Sequence, residues 1–152
     1  MDEIGHIKEN LSRALEGPAW HGPALMELLR GVSAEQAAAH PIQGAHSIWE
    51  IVLHCIAWHR AVTKRLQGEI IELEGEADWP PVKARDERAW QDCLGELNQS
   101  TQELLMELDS FTVQRLDDMA PGKDYSYSVM LHGLVGHDLY HAGQIALLKK
   151  GV

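Results

Sequence analysis

Ser126-Tyr-Ser-Val-Met130-Leu-His-Gly133-Leu134-Val-Gly-His137-Asp-Leu-Tyr140-His141-Ala-Gly-Gln144-Ile-Ala-Leu-Leu148-Lys149-Lys150 is the stretch that decides the fold. Each helical residue advances about 100°, so Met130, Gly133, Leu134, His141, Gln144 and Leu148 all fall within roughly 60° of His137. That stripe is mostly apolar and has to face a core. Lys149 and Lys150 suit the negative end of the helix dipole, and Gly151 ends the run. His137 and His141 lie inside the stripe, one turn apart. Two imidazoles on a buried stripe cost desolvation unless something satisfies them. A metal ion does so, because neutral imidazole is a common ligand. The alternative is a pair of core histidines with local hydrogen bonds.

Working outward, three more long helices are expected. The first spans about Asp2 to Leu15 and is ended or sharply kinked by Gly17-Pro18 and Gly22-Pro23. Short helices follow, from about Pro23 to Arg30 and from Ala34 to Ala39, the latter behind a Ser33/Gln36 capping box. The second long helix runs from about Ser47 to Gln67 and is apolar almost all round, from Ile48 to Trp58. A helix of that kind is buried on more than one side, which suggests a second copy of the chain and hence a homodimer. Glu69 to Ala84, with Gly75 and Pro80-Pro81, reads as a loop. The third long helix runs from about Asp86 to Leu108 and the fourth from Ser126 to Lys150, joined by a connection holding Pro121-Gly122. No segment alternates as a strand would. The expected fold is all-α: a four-helix bundle with a kinked first helix and long connecting loops, in one domain over residues 1–152.

The 152 residues are 45% apolar and 24% charged, enough for a real core. Thirteen Lys and Arg against 23 Asp and Glu leave a net charge of −10. That balance excludes a general nucleic-acid binder and disfavours an anionic membrane surface. No apolar run is long enough to span a bilayer. Met1-Asp-Glu-Ile-Gly-His6 has neither the basic nor the apolar region of a signal peptide, and Cys55 and Cys93 are too few for a disulfide scaffold. A reduced, cytoplasmic protein is expected.

On the second long helix, His54 shares its face with Ser47, Glu50, Ile51, Ala57, Trp58, Ala61 and Arg65. If that face meets the fourth helix, His54, His137 and His141 form a tripod with open positions, the arrangement that separates a catalytic metal site from a closed structural one. Glu50, one turn before His54, is a candidate to accept an imidazole N–H or to act as catalytic base. Trp58 is a candidate wall of the site. His21 and His46, both at helix starts, are candidates for a substrate entrance, and Tyr140 and Gln144 for substrate contacts beside the pair. Asp138 falls about 100° off the stripe and is expected in a surface salt bridge. His59 and His132 point about 140° away from the site on their own helices. No Gly-rich phosphate loop and no nucleophile elbow is present, and Cys55 diverges from His54 too far to form a dyad.

At these residues the chain resembles the DinB-like (DinB/YfiT) family of metal-binding four-helix bundles. The resemblance rests on His137-Asp-Leu-Tyr140-His141-Ala-Gly-Gln144-Ile145 and on Ser47-Ile-Trp49-Glu50-Ile-Val-Leu-His54, with Gly17-Pro-Ala-Trp20-His21-Gly-Pro23 as a further similar segment. It implies one divalent metal, commonly nickel or zinc, held by His54, His137 and His141, and frequent homodimers. Relatives include transferases and isomerases that use small cofactor thiols, and metal-dependent hydrolases. Two function classes follow. One is an enzyme in which the metal activates water or a thiol cosubstrate against a small-molecule substrate. The other is a metal-binding or ligand-binding bundle without catalysis.

Overall fold

In the computed structural model, which describes residues 1–152, every long helix starts at a side chain that caps it. Asp2, Ser47, Asp86 and Ser126 accept hydrogen bonds from the backbone N–H groups of Gly5, Glu50, Ala89 and Val129. These bonds satisfy donors that a helix start otherwise leaves unpaired. The helices are α1 (Glu3–Leu15), α2 (Leu25–Leu29), α3 (Ala34–Ala38), α4 (Ile48–Leu66), α5 (Glu87–Ser110) and α6 (Tyr127–Leu148). Single 3-10 turns lie at Gly75–Ala77, Val113–Arg115 and Lys149–Gly151. At Gly17 the break in the first helix is complete. Its φ of 89° lies in the left-handed region, and α2 begins only at Leu25.

The core forms two apolar clusters, one toward each end of the bundle. The first holds Leu25, Leu29, Ile48, Val52, Trp90, Leu97 and Ile145. The second holds Ile7, Leu11, Val62, Leu66, Leu104, Leu108, Leu131 and Leu134. Helices α4 and α5 both start in the first cluster and finish in the second, whereas α1 and α6 run the other way. α4 and α5 are therefore parallel, and the chain between them must return along the length of α4, roughly 28 Å at 1.5 Å per residue. Residues 67–86 make that crossover.

Between the two apolar clusters lies a buried polar layer of His54, His59, Ser100, Thr101, Asp138 and His141. α4, α5 and α6 each contribute to it at mid-length. α4 packs against α3, α5 and α6 within one chain, and its Leu53, Ala57 and Trp58 are half-buried. No helix is long and apolar enough to cross a membrane.

Candidate metal centre

His54, His137 and His141 come together in the polar layer, with one ring nitrogen of each within 4.8 Å of the others. Their ring centroids are 4.4 to 4.9 Å apart. The spacing follows from the helices: His137 and His141 are one turn apart on α6, and α4 packs antiparallel against that face.

Each ring is held from outside the cluster. His54 Nδ1 lies 2.7 Å from the carbonyl oxygen of Asp78. A carbonyl only accepts, so Nδ1 carries the proton and the Nε2 lone pair is free. His141 Nδ1 lies 2.7 Å from Gln144 Oε1, which by the same argument leaves its Nε2 as an acceptor. His137 Nε2 is 3.0 Å from His54 Nε2 and must donate to it. In a neutral ring that leaves Nδ1 with only its lone pair, buried without a hydrogen-bond partner and 3.6 Å from Asp138 Oδ1. A cation in place of the His137 Nε2 proton resolves the conflict. The proton then sits on Nδ1 and faces the Asp138 carboxylate, the outer-shell arrangement that metal-bound histidines favour. The donor set therefore fits a metal ion.

The electrostatics agree with that fit. Burial pushes His141 down to about 4, against its hydrogen bond to Gln144, and the neighbouring His137 and His54 add to the shift. Burial also lowers His54, opposed by its bond to Asp78. Both rings are neutral near neutral pH, as ligands must be. Cys55, His137 and Asp138 also lie within ligand distance of one another. Burial pushes the Cys55 thiol well above its usual range, so without a metal it is not a thiolate at neutral pH.

Asp138 is not on the surface. It and His59 are both completely buried, and His59 Nε2 lies 3.1 Å from both Asp138 oxygens across α4 and α6. Burial raises the Asp138 carboxyl, but the neighbouring His59 and His137 imidazoles outweigh it and hold it low. His59 thus points into the bundle, with its Nδ1 toward Ser100 and Thr101, while His132 is exposed and pairs with Glu3. The sequence stripe centred on His137 omitted Leu131, Ala142 and Ile145. Including them turns the true buried face by about 75°, and Asp138 lies near its middle.

The other candidates are divided. The Glu50 carboxylate is not brought to His54. It accepts from Ser47 N–H at 2.7 Å and pairs with His40 and His46 at 3.1 and 3.4 Å, so it closes the capping box of α4. The oxygens that meet His54 belong to Asp78, whose carboxylate lies 3.1 Å from Nδ1. His46 approaches the cluster only through Trp79, which stacks on His46 at 3.6 Å and on His54 at 3.9 Å. Trp58 stands over the site, 5.7 Å from the His137 ring, and donates its indole N–H to Asp78 Oδ1 at 2.9 Å. Tyr140 is 65% exposed, with its ring edge-on to His141. Gln144 is engaged by His141. His21 is exposed on the connection after α1 and makes no hydrogen bond or ring contact with the cluster.

Asp78 and Trp79 were missed because they lie in the crossover. The available signal was an acid and a large aromatic directly before Pro80-Pro81, where the chain is held extended. No curated protein and no solved structure matches the chain. A family model described as the DinB superfamily matches residues 19–145. That range contains the three histidines and the groups that orient them, and the chain belongs to the DinB superfamily.

Proposed function

We propose that this protein is a divalent-metal-dependent enzyme acting on a small molecule, with His54, His137 and His141 as the metal ligands and nickel or zinc as the metal. The unpaired buried Nδ1 of His137 carries this reading, because binding a cation is what satisfies it. Three protein ligands suit a catalytic site, which keeps coordination positions open, better than a closed structural one. When bound, the ion would lower the pKa of a coordinated water or small thiol so that it acts as a nucleophile near neutral pH.

The chain's own groups set up that chemistry. Asp78 and Gln144 fix the tautomers of His54 and His141, and the Asp138 carboxylate would face the Nδ1–H of a metal-bound His137. Trp58 and Trp79 cover His54 on two sides and limit access by water. A hydrolase uses water at this site, and a transferase uses a cofactor thiol.

Elemental analysis of purified protein tests the reading, combined with an activity screen run with and without added thiol. Stoichiometric metal and turnover that is lost in His137→Ala are expected. Absence of metal, together with an unchanged His137→Ala protein, would falsify it. Stoichiometric metal with a fourth protein ligand and no turnover would favour the non-catalytic bundle.

A further inference from the structure

Beside the histidine cluster lies a cavity of about 250 Å³ whose walls include Trp58, Val62, Met130, Leu134 and His137. It is small for a ligand site and mostly apolar, so it suits a molecule about the size of one ring with a short arm. One wall residue breaks the apolar pattern. Arg65 lines the cavity and is only 1% exposed.

A buried guanidinium is normally paired with a carboxylate, because an uncompensated charge is costly to bury. Arg65 has no carboxylate within 4.0 Å. Its Nε and Nη2 both donate to the carbonyl oxygen of Ile71, at 3.1 and 2.7 Å. Nη1 reaches only the Tyr125 hydroxyl at 3.4 Å, and that hydroxyl also lines the cavity. Glu72, one residue beyond Ile71, is hydrogen-bonded to Lys123 and feels the Arg65 charge only from beyond contact distance. Neutral oxygens satisfy some of the five N–H donors, and no carboxylate touches the guanidinium.

The placement of the charge relative to the histidines gives it meaning. The Trp58 ring is a neighbour of both, 5.4 Å from Arg65 Cζ and 5.7 Å from the His137 ring, and all three line the cavity. A molecule lying along Trp58 would have one end at the guanidinium and the other at the histidine cluster. We propose that this cavity binds a small organic carboxylate, with its apolar body along Trp58 and its carboxylate on Arg65, and that such acids are the substrate class of the site. A carboxylate matches the planar fork of a single guanidinium. A phosphate dianion would need more positive charge than this cavity offers. The word substrate rests on the metal-enzyme reading above, whereas binding of the acid does not.

Phenylacetate is a suitable probe, with phenylacetamide as its uncharged counterpart. Both are titrated into metal-free and zinc-loaded protein, and the indole N–H signal of Trp58 is followed by NMR. Phenylacetate is expected to shift that signal in both forms and to bind at least roughly tenfold more tightly than the amide. Arg65→Met should remove the preference for the acid. Should that variant fail to fold, Gly133→Leu provides a second test. Gly133 lines the cavity, and a Cβ added there meets nothing within 4 Å, so leucine can obstruct the space without disturbing the helix. Binding of phenylacetate should be lost in this variant. Equal affinity for acid and amide, or undiminished binding in Gly133→Leu, overturns the proposal. Metal uptake without phenylacetate binding also overturns it while leaving the metal reading intact. Phenylacetate binding without metal uptake supports the cavity and refutes the metal reading.

Discussion

Gln144 holds His141 through one hydrogen bond and makes none to His54 or His137. Losing such an outer partner typically costs about 10–100-fold in metal affinity. Gln144→Ala is expected to fall in that range by isothermal titration with zinc and to keep its helical circular dichroism. The buried histidines also set a pH dependence. His141 is lowered from the usual 6.5 to about 4, and His54 is lowered too. In metal-free protein the unfolded chain then binds more protons than the folded one between those values. Stability from these groups is complete above 6.5 and declines as the pH falls toward 4. Thermal melts over that range should show the decline, and His141→Ala should make it shallower. At this scale the sequence was informative wherever a helix brought residues together. His137 and His141 were legible because one turn places them side by side. Asp138 was misread because a stripe drawn around one histidine turned the buried face away from it.

The helix starts were the most legible elements, because capping is local chemistry. Ser33/Gln36 and Ser47 lie where their residue types suggest, and both form reciprocal capping boxes. Ser47 Oγ accepts the N–H of Glu50, and the Glu50 carboxylate accepts the N–H of Ser47. This local bond explains why Glu50 does not serve His54, although it lies one turn away. Ser47→Ala is expected to cost about 1 kcal/mol of stability in urea unfolding, while Glu50→Gln retains the box and most of that stability. The crossover between α4 and α5 was the least legible element. Its backbone has no period to read, and its position against His54 follows only from the parallel direction of α4 and α5.

Across the whole molecule, two apolar clusters enclose a polar layer, and the layer carries the chemistry. The all-round apolarity of α4 suggests a second copy; α3, α5 and α6 cover much of that helix within one chain and leave Leu53 and Ala57 half-buried. The homodimer stands as a proposal, on the apolarity of α4 and on the family resemblance. Light scattering at micromolar concentration checks it, with a mass twice the 17.0 kDa of one chain expected. The crossover has an optical consequence as well. Trp79 lies flat between the rings of His46 and His54, within 10° of parallel to both. Its excited state is therefore in van der Waals contact with one of the three histidines of the cluster. Loading the site with nickel, a paramagnetic quencher of indole emission, should dim the protein's tryptophan fluorescence. The dimming should shrink in Trp79→Phe, so that the emitted light reports occupancy of the centre.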